Sequence, residues 1–301
     1  MISLVGRTGL AVAVVLVLGG CGGDGKTPAA PVSTASERPS EVPGKARPRV
    51  QVPAGVRAGY VVYDRPSGKV LLHGGARRTF RSASVVKILI ALDYLRGKTR
   101  VPAADLARLR PMLRSSDDGA ATMFWNRGGK GAIIERSAAR LGLRDTEPPP
   151  ADKPGFWGYT ALSALDVVRI YRYVLEKAPA AHRELIMGEL RKATPCGLDK
   201  YDQYFGIPRA LPRPWAVKQG WSGFGDVPAV PCRAAAAAMA VPAAAPDLGL
   251  GRPVLHTTGT VGKGDRRIVV VLTLHPAGSS FQTAARRITT LTKQIYRAAD
   301  S

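Results

Sequence analysis

The sequence has little with which to build a metal or redox centre. Its 301 residues include three cysteines and four histidines. The histidines, at 73, 182, 256 and 275, fall at no ligand spacing, so neither a metal nor any other cofactor is expected, and each reads as structural. No Gly-Lys-Ser/Thr closes the glycine-rich stretch Gly259 to Gly264, which reads as a hairpin turn and not a phosphate loop. The Gly-x-Ser-x-Gly nucleophile elbow is also missing, because Gly220-Trp221-Ser222-Gly223 is followed by Phe224. Negative charge is scarce: 22 Asp and Glu against 44 Lys and Arg leave a formal net charge of +22. The basic residues are scattered and form no nucleic-acid motif. Anionic lipid heads or anionic envelope polymers are therefore better partners than nucleic acid.

What is present begins with a leader. Arg7 precedes an uncharged run, Leu10 to Leu18, too short to span a bilayer but suited to a secretory signal. Leu18-Gly19-Gly20-Cys21 resembles the bacterial lipobox, whose cysteine is diacylated. That implies a signal peptide over 1–20, lipidation at Cys21 and anchoring to the outer face of the cell membrane. An ordinary signal peptide with an incidental cysteine is the alternative. Residues 22 to 53 hold six prolines among small and charged residues and cannot bury enough apolar surface to order themselves. With Cys21 they read as a tether over 21–53. The remaining 54–301 suffices for one domain, expected to be a monomer. Cys196 and Cys232 are left as an even pair, which points to a disulfide in an oxidising compartment; two free buried thiols are the alternative.

Within that domain, "AGYVVYDRPSGKVLLHGG" alternates and turns as a β-hairpin with Pro66-Ser67-Gly68 at its tip. "PVLHTTGTVGKGDRRIVVVLTLHP" makes a second hairpin, and "SSFQTAARRITTLTKQIYRAA" an amphipathic helix. Helical patterns lie near 85–96, 118–127, 131–141, 162–177 and 182–193, and "PRPWAVKQGW" supplies another strand. The segment 226–253, with its alanine run, fits no element and reads as an insertion. The fold class is α+β: an antiparallel sheet of about five strands, built from both chain ends and packed with a helical block.

Three polar signals punctuate this pattern. "SASVVKILIALDYL" puts Ser84 just before an apolar helical run with Lys87 three residues on; "MLRSSDDGAATMFW" carries Ser115, Ser116, Asp117 and Asp118; "AVKQGWSG" places Lys218 in a strand before Gln219 and Gly220. Each is weak alone. Ser and Asp cap helices, and Gly can mark a bulge. Together and in this order they resemble Ser-x-x-Lys, Ser-Asp-Asn and Lys-Thr-Gly, the signatures of the serine β-lactamase and penicillin-binding protein superfamily. The resemblance extends over most of 55 to 299.

The resemblance implies a role for each residue. Ser84, at a helix N-terminus, is the nucleophile, and Lys87, one turn on and flanked by Val85, Val86 and Ile88, is its base. Ser116 relays a proton to the leaving nitrogen, and Lys218 holds a substrate carboxylate. Backbone N–H groups of Ser84 and Trp221 form the oxyanion hole, with Asp118, Gln219, Gly220 and Trp221 lining the substrate site. Three departures stand out. Asp118 replaces the usual Asn, and Gln219 the usual Thr. The Glu-x-x-x-Asn loop that activates the deacylating water in class A β-lactamases is also missing, because Glu147 is followed four residues later by Ala151. The expected function is therefore an exported active-site-serine hydrolase. It forms an acyl-enzyme on an amide or ester, such as a β-lactam or a cell-wall peptide-like substrate, and deacylates slowly. Should deacylation be fast, Glu147 or Asp152 would be the missing base. A non-catalytic lipoprotein of the same fold, binding envelope components, is the alternative from another class; a simple polyanion adhesin rests on charge alone.

Overall fold

The structure is a computed structural model that describes residues 50–233 and 251–301. Cys21, the expected signal peptide, the expected tether up to residue 49 and the alanine run lie outside the described residues.

The strands are β1 (Arg57–Asp64), β2 (Lys69–Gly74), β3 (Thr79–Arg81), β4 (Ala161–Ser163), β5 (Trp215–Ser222), β6 (Val254–Val261) and β7 (Arg267–Leu274). The helices are α1 (Lys87–Leu95), α2 (Ala103–Arg114), α3 (Asp118–Arg127), α4 (Ala132–Leu141), α5 (Ala164–Arg172), α6 (Ala180–Arg191), α7 (Ile207–Ala210) and α8 (Phe281–Ala298). Five strands pair antiparallel in the order β2-β1-β7-β6-β5, so strands from the two chain ends meet at the sheet centre, as expected.

Burial explains the composition of the central strands. Ile268, Val270 and Leu272 of β7 join Val61 and Tyr63 in a core shared with α1 through α6, while Val269 and Val271 pack on the opposite face against α8. A strand covered on both faces needs apolar residues at successive positions, which is why "RIVVVLTL" shows no alternation. Helix α8 presents Phe281, Ala284, Ile288, Leu291 and Ile295 to the sheet, one apolar stripe at helical spacing, and Ser280 caps it by accepting from Thr283 N. Helix α1 is buried nearly all round and forms the axis of the helical block.

Two parts of the fold differ from the sequence expectation. Helix α2 forms where no helical pattern stood out: it contains Pro111, and only Leu109, Met112 and Leu113 are buried along its twelve residues. The small sheet of β3 and β4 is made of three-residue strands, too short to show a period. The pattern near 85–96 opens as a 3-10 turn over Ala83–Val86, and that near 162–177 ends in a π-turn over Tyr173–Lys177.

Candidate active site

Ser84 sits in the 3-10 turn that feeds α1, and the chain is held tightly on both sides of it. Ser82 N donates to Thr160 O at 2.8 Å, and His256 Nε2 bonds Arg81 O at 2.8 Å. Ala83, immediately before Ser84, has φ of +44°, a left-handed conformation that costs a non-glycine residue energy and persists because its surroundings fix it. Strand β5 runs directly against this turn. A Cβ on Gly220 would stand 3.0 Å from Ser82 O, 3.1 Å from Val85 Cγ2 and 3.3 Å from the Ala83 Cβ, so a side chain there would press the turn back and glycine lets the strand edge come this close.

The Lys87 side chain is fully buried and its ammonium nitrogen gathers the site. Nζ donates to Ser84 Oγ at 2.9 Å, to Ser116 O at 2.8 Å, to Ser116 Oγ at 3.1 Å and to Asp118 Oδ1 at 2.5 Å. The indole of Trp157 covers it, with Nζ 4.7 Å from the ring centroid, and Trp157 Nε1 is fixed by Thr122 Oγ1 at 3.1 Å. Ser116 has φ of +61°, which turns both its carbonyl and its hydroxyl toward the lysine. The two neighbouring aspartates divide the work: Asp117 caps α3 by accepting from Ala120 N at 2.9 Å, leaving Asp118 to face Lys87.

Lys218 reaches the same hydroxyl from β5, with Nζ 2.9 Å from Ser116 Oγ. Burial first, and the Lys87 charge second, push its pKa well below the usual lysine range. Its backbone is pinned by a buried chain in which Tyr171 bonds Thr258 and Thr258 Oγ1 donates to Lys218 O at 2.7 Å. One hydroxyl, Ser116, thus links two buried amines, one of which touches Ser84 Oγ. That is a continuous chain of hydrogen bonds from Ser84 to β5.

The remaining expected residues are distributed unevenly. Gln219 is buried, and its Nε2 donates to Gln203 O at 3.0 Å and Phe205 O at 2.6 Å, so the side chain braces the neighbouring loop and does not line the Lys218 side of the strand. Trp221 packs against Tyr201 and Phe205 and donates from Nε1 to Asp199 Oδ2 at 2.8 Å. Glu147 is exposed and its backbone bridges Ala161, while exposed Asp152 pairs with Lys153 at 3.1 Å. Neither makes a contact with Ser84, Lys87 or Ser116 among the described interactions. Cys196 and Cys232 are joined in a disulfide.

Two residues of the site were not foreseen. Trp157 is one; Asp199 is the other. Burial raises the Asp199 pKa, the Asp118 charge adds to the rise, and Lys87 opposes it, so the carboxyl belongs electrostatically to the cleft. Its loop is tied to the Ser116 loop: Leu198 N donates to Ser115 O at 2.9 Å, and Gln203 Nε2 to Arg114 O at 2.8 Å. The disulfide and the bond from Cys232 N to Lys200 O at 2.8 Å close it from the other side.

The fold is the one found in solved class A β-lactamases and in PBP-A. A class A β-lactamase from Mycobacterium abscessus superposes with a TM-score of 0.57 at 18% identity, over 82% of this chain and 95% of that one. The β-lactamase of Sphaerobacter thermophilus gives 0.59 at 18% identity, over 82% and 92%. PBP-A gives 0.58 at 14% identity, over 83% and 92%. No protein-family model matches the sequence. The proteins named "Putative lipoprotein LppW" in Mycobacterium tuberculosis and Mycobacterium bovis are each 33% identical over 280 residues, covering 89% of this chain and 79% of theirs. The chain belongs to the LppW family.

Proposed function

We propose that the protein is an exported, lipid-anchored acyl-transfer enzyme that uses Ser84 as nucleophile on an amide or ester of the β-lactam or cell-wall peptide kind. The observation that carries this reading is the contact of buried Lys87 with both Ser84 Oγ and Ser116 Oγ. Lys87 takes the Ser84 proton as Oγ attacks the carbonyl carbon, and the oxyanion falls to backbone N–H groups of Ser84 and Trp221. Ser116 gives its proton to the leaving nitrogen and is resupplied through Lys87 or Lys218. The acyl-enzyme then persists, because the Trp157 indole covers Lys87 while Glu147 and Asp152 stay exposed on their loop. The LppW name supports membrane attachment through Cys21.

One observation favours a second reading. Asp118 holds Lys87 at 2.5 Å, and an ammonium engaged with a carboxylate is a poor base. A protein in which this pair never opens would keep the cleft only for binding envelope components. Fluorescent penicillin separates the two readings. Acyl transfer gives a stoichiometric burst of label on the peptide containing Ser84, little steady turnover, and none in Ser84→Ala. Absence of label with any β-lactam or activated ester leaves the binding reading.

A further inference from the structure

A cavity at the end of the sheet has no part in the chemistry above. It lies where β1 begins and β7 ends, beside β3, has a volume of about 450 Å³, and is lined by Arg57, Arg78, Arg81 and Arg252 together with Phe80 and Leu274 among others. Among the described residues, no Asp or Glu lines it.

Backbone oxygens hold the guanidinium groups of Arg78, Arg252 and Arg81. Arg78 Nη1 donates to Ala58 O at 3.1 Å. Arg252 donates from Nε to His275 O at 2.9 Å and from Nη2 to Gly55 O at 2.6 Å. Arg81 Nη2 donates to Arg252 O at 2.7 Å and to Ser222 O at 3.2 Å. Among the described residues, Arg57, Arg78 and Arg252 take part in no ion pair. A carbonyl fixes the position of a guanidinium without cancelling its charge, so the cavity wall is both preorganised and positive. Planar guanidinium forks match the oxygens of a phosphate two at a time, and several full charges favour such a group over a single carboxylate. The volume admits a phosphate ester with a small alcohol attached.

We infer that this cavity is a binding site for a phosphate ester, contributed either by an anionic phospholipid headgroup or by a soluble glycerol phosphate. The bond from Arg252 to Gly55 places the site beside the segment through which the chain enters the domain.

The test uses the full-length chain at about 0.15 M salt, where long-range charge attraction is screened. It is titrated calorimetrically with glycerol 3-phosphate, with dihexanoyl phosphatidylglycerol and with dihexanoyl phosphatidylcholine as the control. Arg57→Gln with Arg78→Gln should weaken binding about tenfold or more, the loss of at least one charge-assisted bond. Lys293→Gln with Arg297→Gln removes the same charge from exposed positions on α8 and should leave affinity within about twofold. Binding of both phosphates supports a site open to either source; binding of only one identifies that source. Binding of neither, or equal weakening in both variant pairs, overturns the inference. Ser84→Ala should bind as well as the parent, which keeps this result independent of the acyl-enzyme.

Discussion

Acidification should loosen this protein through His256. The ring is completely buried; Nε2 bonds Arg81 O, and Nδ1 accepts from Thr273 N at 3.2 Å. A proton on Nδ1 would set one N–H against another. Burial chiefly, with the Arg81 and His275 charges adding, lowers the pKa from 6.5 to about 4. The unfolded chain therefore binds the proton first. The contribution of His256 is whole above about pH 6.5 and drains away as pH falls toward 4. The full depression is worth roughly 3 kcal/mol, of which about 2 kcal/mol goes between pH 7 and 5. Urea unfolding at those two pH values should show the His256 share alone lowering the midpoint by about 0.7–1 M at an m-value of roughly 2–3 kcal/mol/M. His275, also lowered to about 4 by burial and then by Arg287 and Arg252, adds a share of the same sign. His256→Gln should be less stable at neutral pH yet lose about half as much on acidification as the parent. A midpoint independent of pH over this range, an unaltered slope in His256→Gln, or the His256 ring resonance of the folded protein titrating above pH 6 would each refute the reasoning.

Other perturbations probe the site and its surroundings. Gly220→Ala should cost about 1–3 kcal/mol through the close contacts with Ser82, Ala83 and Val85, and slow penicillin labelling about a hundredfold by parting Trp221 from Ser84; an unchanged labelling rate would remove β5 from the oxyanion site. Replacing Cys196 and Cys232 by serine should lower stability by roughly 3–4 kcal/mol, given a sequence separation of 36, and alkylation mass spectrometry should find neither thiol free in protein taken from the envelope. Cys21→Ala should abolish lipid labelling and release the protein from membranes; retention of both would end the anchoring claim.

The sheet was legible in the sequence because its buried strands must be apolar on both faces and its last helix on one. Helix α2 was not, since Pro111 reads as a breaker and three buried side chains leave a faint stripe. In the site, Ser84, Lys87, Ser116 and Lys218 could be picked out by type and order, since each motif sits on its own element. Strand alternation foretells that Gln219 turns to the face opposite Lys218, and its bonds to Gln203 and Phe205 follow. Trp157 and Asp199 escaped because loops far apart in sequence carry them in, and no local period records where a loop lands. A signal did exist for Asp199: it lies three residues after Cys196, in a segment that a disulfide was expected to hold.

The pairing of β1 along its whole length with β7 has a consequence for how the chain is made. The strand that occupies the sheet interior is synthesised early, yet its partner comes nearly last. Until β7 is available, β1 has only edge strand β2 beside it, and an isolated hairpin is marginal in water. Non-local pairing of this kind is slow, because loop-closure entropy is spent before the contacts form. A chain of this topology cannot complete its sheet until β7 has been made. If the chain is exported as proposed, that delay would let it cross a membrane before it acquires its sheet and, with it, the Ser84 cleft.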